Sequence, residues 1–305
     1  MADIPAGKVP IMESVKVAFS YLGEHWQKWL PACAILALAS GWYQMQTVRT
    51  AVDAANGVNS GLIAFGVFCI FLLTSIIVSV GIYRHVIRGE FTPPIGIGFG
   101  IDEIRVLGVT LSLLLVFFIG FGFLFILFVL AASILVASSG LDPELAQTNP
   151  ELFLQQFSEA LGTGNGPFLI VLGLILVAAM MFVGVRLAFV TAATVSEERM
   201  MVFQTWSFAK GNFWRIIGAI LLTVLPLAII GGIIIAVSDI VILGSAESDA
   251  RVNASLQQLF IVSTIEGFVN AIISIASIAL MAYLYKGLRP SDEELEKMRE
   301  KANES

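Results

Sequence analysis

Ionisable side chains inside apolar stretches are the residues of this chain best suited to chemistry. A charge in a low-dielectric layer is costly, and it is retained where it pairs, binds or moves something. Arg186 closes one apolar stretch, and Glu266 and Asn270 lie four residues apart within another, so those two share a helix face. By composition Arg186 is the basic partner for Glu266, but the order of spans puts them near opposite membrane faces, which argues against direct contact. Two readings of each stay open: a direct role, or a place in the headgroup zone, with Arg186 snorkelling inward. A second set mixes aromatic and basic residues: Trp206, Lys210, Trp214 and Arg215. Such a mixture suits an anionic lipid head or a partner protein, and equally suits plain anchoring of a span.

Covalent and metal catalysis find little support. The histidines are His25 and His85, each near the end of an apolar stretch. HExxH, Cys/His ligand spacing, GxSxG and a phosphate loop are all missing from the sequence. Gly96, Gly98 and Gly100 follow no strand and precede no GK[ST]. Cys33 and Cys69 lie in apolar stretches and read as small buried hydrophobes. The expectation is no catalytic residue, no metal, no cofactor and no enzymatic activity.

The elements that carry these residues are membrane spans. Of 305 residues, 57% are hydrophobic and 13% charged, where a soluble domain has about a quarter charged. Residues 54–83, 106–141 and 216–238 contain no Asp, Glu, Lys or Arg. Each is long enough to cross a hydrocarbon core of about 30 Å as a helix. The fold expected is all-α, a polytopic bundle of six transmembrane helices near 29–48, 61–83, 108–138, 168–190, 216–238 and 257–285. Amphipathic interfacial stretches are expected near 11–28, 95–107 and 200–215, with 290–305 a short charged tail. Gly23 weakens or breaks the first stretch, and Pro226 with Gly231-Gly232 suggests a kink in the fifth span.

Charge sets the orientation. Arg84, Arg88, Arg105, Arg199, Lys210 and Arg215 lie in the links on the side of both termini, while the opposite links hold only Arg49 and Arg251. The excess of basic residues places both termini in the cytoplasm. Each interfacial stretch precedes two spans, which suggests three repeats of a three-helix unit. The net charge of −6 comes with no basic face to meet phosphates, so nucleic acid is not expected as a partner. Targeting by the first span is the simpler expectation than a cleaved signal peptide.

The stretch from Arg186 to Gly218 resembles the recurrent segment of bacterial multi-span proteins related to the glycerophosphoryl diester phosphodiesterase membrane domain, with YciC-like proteins as neighbours in type. Arg186, the acidic pair Glu197-Glu198, Trp206, Lys210, Gly211-Asn212 and Phe213-Trp214 carry the likeness. It covers about thirty residues in detail, and no polar region here can house the soluble phosphodiesterase domain. The resemblance implies an inner-membrane protein without that activity. The expected function is non-enzymatic, organising or binding membrane lipids or another membrane protein. A small-molecule or lipid transporter is the alternative, favoured by the apparent repetition, the breaks in span five and Glu266.

Overall fold

The computed structural model describes residues 8–92, 96–142, 145, 149–162, 164, 166–245, 248–289 and 291. The charged tail expected at 290–305 lies almost wholly outside them. Among the described residues the regular elements are helical: α1 (Ile11–Glu24), α2 (Trp26–Ala55), α3 (Gly61–Arg88), α4 (Ile101–Ser138), α5 (Pro150–Leu161), α6 (Gly166–Leu187), α7 (Val190–Ser196), a 3-10 turn (Phe203–Ser207), α8 (Phe213–Leu243), α9 (Ser248–Asn253) and α10 (Leu256–Leu288). Among the described residues five segments are long and apolar enough to cross a membrane: α3, α4, the α6–α7 stretch Gly166–Ser196, α8 and α10.

The span expected at 29–48 is the 30-residue helix α2. It has the length to cross but stands outside those five, because Gln44, Gln46 and Thr47 interrupt its apolar run. It buries Ala32, Cys33, Leu36 and Ala37 and packs chiefly on α10 and α3. Its Pro31 lies inside the helix rather than in the first turn, since α2 begins at Trp26. α8 runs unbroken through Pro226.

The interfacial stretches take three different forms. The first is not one helix over 11–28: α1 stops at Glu24, His25 turns the chain, and 26–28 begin α2. In the second, 101–107 are simply the opening turns of the 38-residue helix α4. In the third, 200–212 is no α-helix, and 213–215 open α8. Phe208, Lys210 and Asn212 donate their amides to Thr205, Ser207 and Ala209, three residues back, which is the tighter 3-10 pattern. Met201, Thr205, Phe208, Ala209 and Asn212 are buried there, while Phe203 and Trp206 are exposed.

The chain forms two units, Met1–Val109 with Leu187–Ser305, and Thr110–Arg186. In the smaller unit Asn149 caps α5 by accepting the Leu152 amide at 3.2 Å. Phe117 stacks on Phe121, and Phe153 on Phe157. In the larger unit α10 is the column against which α1, α2, α3, α7 and α8 pack. More than half of its most apolar stretch is buried, against a small minority in α3 and α8.

Small residues permit that packing. Lipid tails are as apolar as Leu, so close van der Waals contact must hold membrane helices together. A Cβ on Gly41 would lie 2.7 Å from the Thr264 hydroxyl, and one on Gly267 would lie 2.5 Å from the Ala37 carbonyl oxygen. α2 and α10 thus approach almost backbone to backbone. Gly267→Val should therefore destabilise the fold by about 1–3 kcal/mol. Gly232→Val, at a site with no atom within 4 Å, should change it by less than about 0.5 kcal/mol. Thermal unfolding of both variants in detergent micelles checks this, and equal losses would refute the close-approach account.

Candidate functional site

The C-terminal ends of α3, α7 and α10 meet and are tied in a ring of polar contacts. Lys286, near the end of α10, donates to the Val86 carbonyl at the end of α3 at 2.8 Å. Arg88, the last residue of α3, donates to the Val195 carbonyl at the end of α7. Arg289 and Tyr285 of the α10 terminus donate to Glu197, at the end of α7, at 2.7 and 2.9 Å. Two of the three helices so present terminal carbonyls to a cation from a neighbour, the favourable sign for the negative end of a helix dipole.

The start of α4 joins this ring. Arg84 forms a salt bridge to Glu103 at 2.6 Å and one to Asp102 at 3.1 Å. Asp102 also receives Arg88 at 3.0 Å and Arg105 at 2.9 Å. Glu103 in turn accepts the Gly100 amide at 2.8 Å, the backward half of a capping box. Its side chain is 1% exposed, and Arg84 is its ion-pair partner. The acidic pair lies on a bend. Glu197 ends α7, and Glu198 has a left-handed φ of 52° that places its carboxylate 3.6 Å from Arg88.

At the other end of the bundle Arg251 of α9 joins two helices. It bonds Asp239 of α8 at 2.9 Å and Glu266 of α10 at 2.8 Å. Gln44 of α2 satisfies both its neighbours when its amide nitrogen faces Glu266 at 2.9 Å and its oxygen accepts from Ser40 at 3.2 Å. Among the described residues the ion-pair partner of Glu266 is therefore Arg251 of α9.

No family model, curated protein or solved structure matches this chain. The geometry alone carries the assignment of roles.

The residues singled out in the sequence fall in separate places. Arg186 is in the last turn of α6, with its guanidinium 5.3 Å from the Phe182 ring centre. Asn270 is exposed, one turn beyond Glu266. Trp206 and Lys210 are exposed on the chain between α7 and α8. Trp214 is exposed and edges onto Phe213 at 5.1 Å. Arg215 reaches back to the Val9 carbonyl at 3.1 Å, while Asn212 accepts the Val9 amide at 3.0 Å. The Gly-Asn-aromatic-aromatic-basic run thus pins the segment leading into α1. No group of three or more His, Cys, Asp or Glu among the described residues is placed to hold a metal ion.

Sequence reasoning missed Asp102, Glu103, Arg84 and Arg88 as one unit. A signal was present: basic residues close α3 and an acidic pair opens α4, with a short Gly/Pro-rich link between. Buried charges stripped of their partner cost about 3–5 kcal/mol, whereas exposed pairs contribute at most about 1 kcal/mol. Glu103→Ala should therefore unfold the protein at distinctly lower temperature, and Glu198→Ala, whose side chain is 66% exposed, should scarcely move it. Calorimetry in one detergent decides this; similar losses for both would refute the ranking.

Glu197 adds a pH dependence. Burial alone would raise its pKa, but the bonds from Arg289 and Tyr285 outweigh that and hold it below the ordinary carboxylate value. A depressed carboxylate adds stability above its unfolded pKa, about 4.3, and loses it as pH falls through the lower folded value. The melting temperatures of the wild type and Glu197→Gln should differ at neutral pH and converge below about pH 4. A gap unchanged at acid pH would count against the ion pair.

Proposed function

We propose that this chain is a non-enzymatic integral membrane protein that organises lipids or a partner protein at one face of the membrane. The carrying observation is how its polar groups are spent. Carboxylates within the bundle, Glu103, Asp102, Asp239 and Glu266, are each bonded to arginine, and the central α2–α10 seam closes on itself at Gly41 and Gly267. Groups committed to one another are poorly placed to line a moving path or to drive a reaction. The outward surface supplies the binding face instead: Phe203, Trp206 and Trp214 are exposed, and Lys210 and Arg215 are exposed beside them in sequence. Aromatic and basic side chains together suit the headgroup layer.

In this reading α2 is the sixth span, packed on α10 and α3, and both termini face the cytoplasm with the basic ring. Three successive units, each an interfacial entry followed by two spans, begin at α1, at the first turns of α4 and at the 200–212 segment. The likeness of Arg186 to Gly218 to the phosphodiesterase membrane domain supports a bacterial inner-membrane location. Transport is the second reading, supported by the ionisable groups Asp239, Arg251 and Glu266 within α8–α10.

Native mass spectrometry on gently extracted protein tests the proposal. A defined lipid or partner retained in fixed ratio, and lost from a Lys210→Gln, Arg215→Gln variant that still folds, is the expected result. Solute flux in liposomes that vanishes with Glu266→Gln would overturn it in favour of transport.

A further inference from the structure

Between α1, α2 and α3 lies a group of basic side chains that the ring of ion pairs does not use. Lys28, in the first turn of α2, has its ammonium 3.0 Å from Nε2 of His85 in the last turn of α3. The Tyr21 hydroxyl of α1 is 3.0 Å from the other ring nitrogen, Nδ1. The His25 ring lies edge-on to His85, with centroids 5.1 Å apart. Phe91 closes the far side, 5.6 Å from the Lys28 nitrogen. The cleft that Tyr21, Lys28, His85 and Phe91 line is narrow, about 10 Å³, and Tyr21 also borders a separate open groove of about 540 Å³ along α1 with Glu13, Lys16, Glu24 and His25.

Three features single this group out. First, Lys28 spends its contact on a neutral base, and neither Lys28, His25 nor His85 forms an ion pair among the described residues. Nearby cations differ: Arg84, Arg88 and Arg289 reach carboxylates, and Lys286 a helix-end carbonyl. Second, α2 begins at Trp26 with no side chain capping its first amides, so the positive end of a 30-residue helix adds to the charge of Lys28. Third, Lys28 is exposed and both histidines are half-buried, so a ligand has access.

We propose that Lys28, His25 and His85 form a binding site for a phosphate-type oxyanion, carried on a lipid head or free in solution, and that binding takes up one proton at His85. A charged Lys28 donates to Nε2, which leaves the ring hydrogen on Nδ1, bonded to the Tyr21 oxygen. An anion oxygen entering between Lys28 and His85 can accept from both only when Nε2 also carries a hydrogen. That proton comes from solvent, and the anion offsets the new charge.

The groups facing His85 make the anion necessary. From α1 come Tyr21 and Glu24, the latter bonded to Ser20; from the turn after it comes His25, and from α2 Lys28. On α3 itself Arg84 and Arg88, one and three residues from His85, are already paired, and beyond it lie Phe91 and the exposed Glu90, 3.9 Å from Arg88. None of these carboxylates is bonded to the ring, so a protonated His85 would face Lys28 without compensation. The site is separate from Lys210 and Arg215, and stands or falls independently of the function proposed above.

The test uses the full chain in nanodiscs of phosphatidylcholine, titrated calorimetrically with inorganic phosphate at about pH 6 and about pH 8. In a second arm, vesicles with and without phosphatidic acid supply the same phosphomonoester on a lipid, and the lipid retained after gentle extraction is quantified. Binding in at least one arm is expected to tighten by up to about tenfold per pH unit lowered, the limit for one coupled proton. Lys28→Gln should weaken it about tenfold or more, and His85→Gln should reduce the pH dependence to that of the phosphate's own titration, which falls in the same range. Lys28 is exposed, so its variant should fold even if the His85 variant does not; His25→Gln, expected to weaken binding, is the further check. Phosphate bound alone identifies a free anion as ligand, and phosphatidic acid retained alone identifies a headgroup. Absence of binding in both arms, or variants that bind like the wild type, would overturn the proposal. A loss confined to Lys210→Gln, Arg215→Gln would overturn it as well, assigning the anion to that other surface.

Discussion

Close approach along α10 is the constraint on which the larger unit depends. In lipid no solvent drives apolar helices together, so the gain must come from dense contact between surfaces. α10 presents Ser263, Gly267, Ala271, Ala276, Ala279 and Ala282, all buried, and α2 answers with Ala37, Ser40 and Gly41. Small side chains lower the apolar character of both helices while making them the best packed. A helix that looks weak as a membrane segment is therefore the one that organises the bundle. The large apolar side chains of α3 and α8, such as Phe65 and Ile233, are left exposed, where lipid is their natural neighbour.

Charge then fixes how the helices around α10 are placed. Removing ions from water is expensive, and the cost is recovered only with good geometry and several hydrogen bonds. Four arginines, Arg84, Arg88, Arg105 and Arg289, meet Asp102, Glu103, Glu197 and Glu198. Because Lys286 reaches the end of α3 and Arg88 reaches the end of α7, sliding any one of these helices by a turn would strand a cation. At the opposite end Arg251 does the same for α8 and α10. Packing sets how near the helices lie, and the polar ends set their relative height.

That division bears on function. Some polar and aromatic groups lie outside the network that holds register. The Lys28–His85 pair is one such group, since its ammonium rests on a neutral ring nitrogen rather than a carboxylate. The exposed aromatic and basic side chains of the 203–215 region are another. Lys28 and His85 lie in the first turn of α2 and the last turn of α3, and residues 203–212 join α7 to α8.

Much of the architecture follows from the sequence alone. Charge-free runs longer than a bilayer is thick can only be helices in lipid, because every backbone amide must then be satisfied within its own segment. The α-helical class and the apolar helices α3, α4, α6, α8 and α10 were legible for that reason. Glu266 was legible as a costly intramembrane charge, and Asn212 to Arg215 as a distinctive run. The tertiary structure alone decided what those residues meet. Arg251 partners Glu266 from 15 residues away in sequence, Arg289 meets Glu197 across 92 residues, and Arg215 holds Val9 across 206. Hydropathy records only whether a residue prefers lipid or water, so it is blind to pairings made across helices. The same limit hid the 3-10 form of the 200–212 segment. A helical spacing of buried positions is met by 3-10 turns as well as by an α-helix, and only the fit against α7 and the core selects between them.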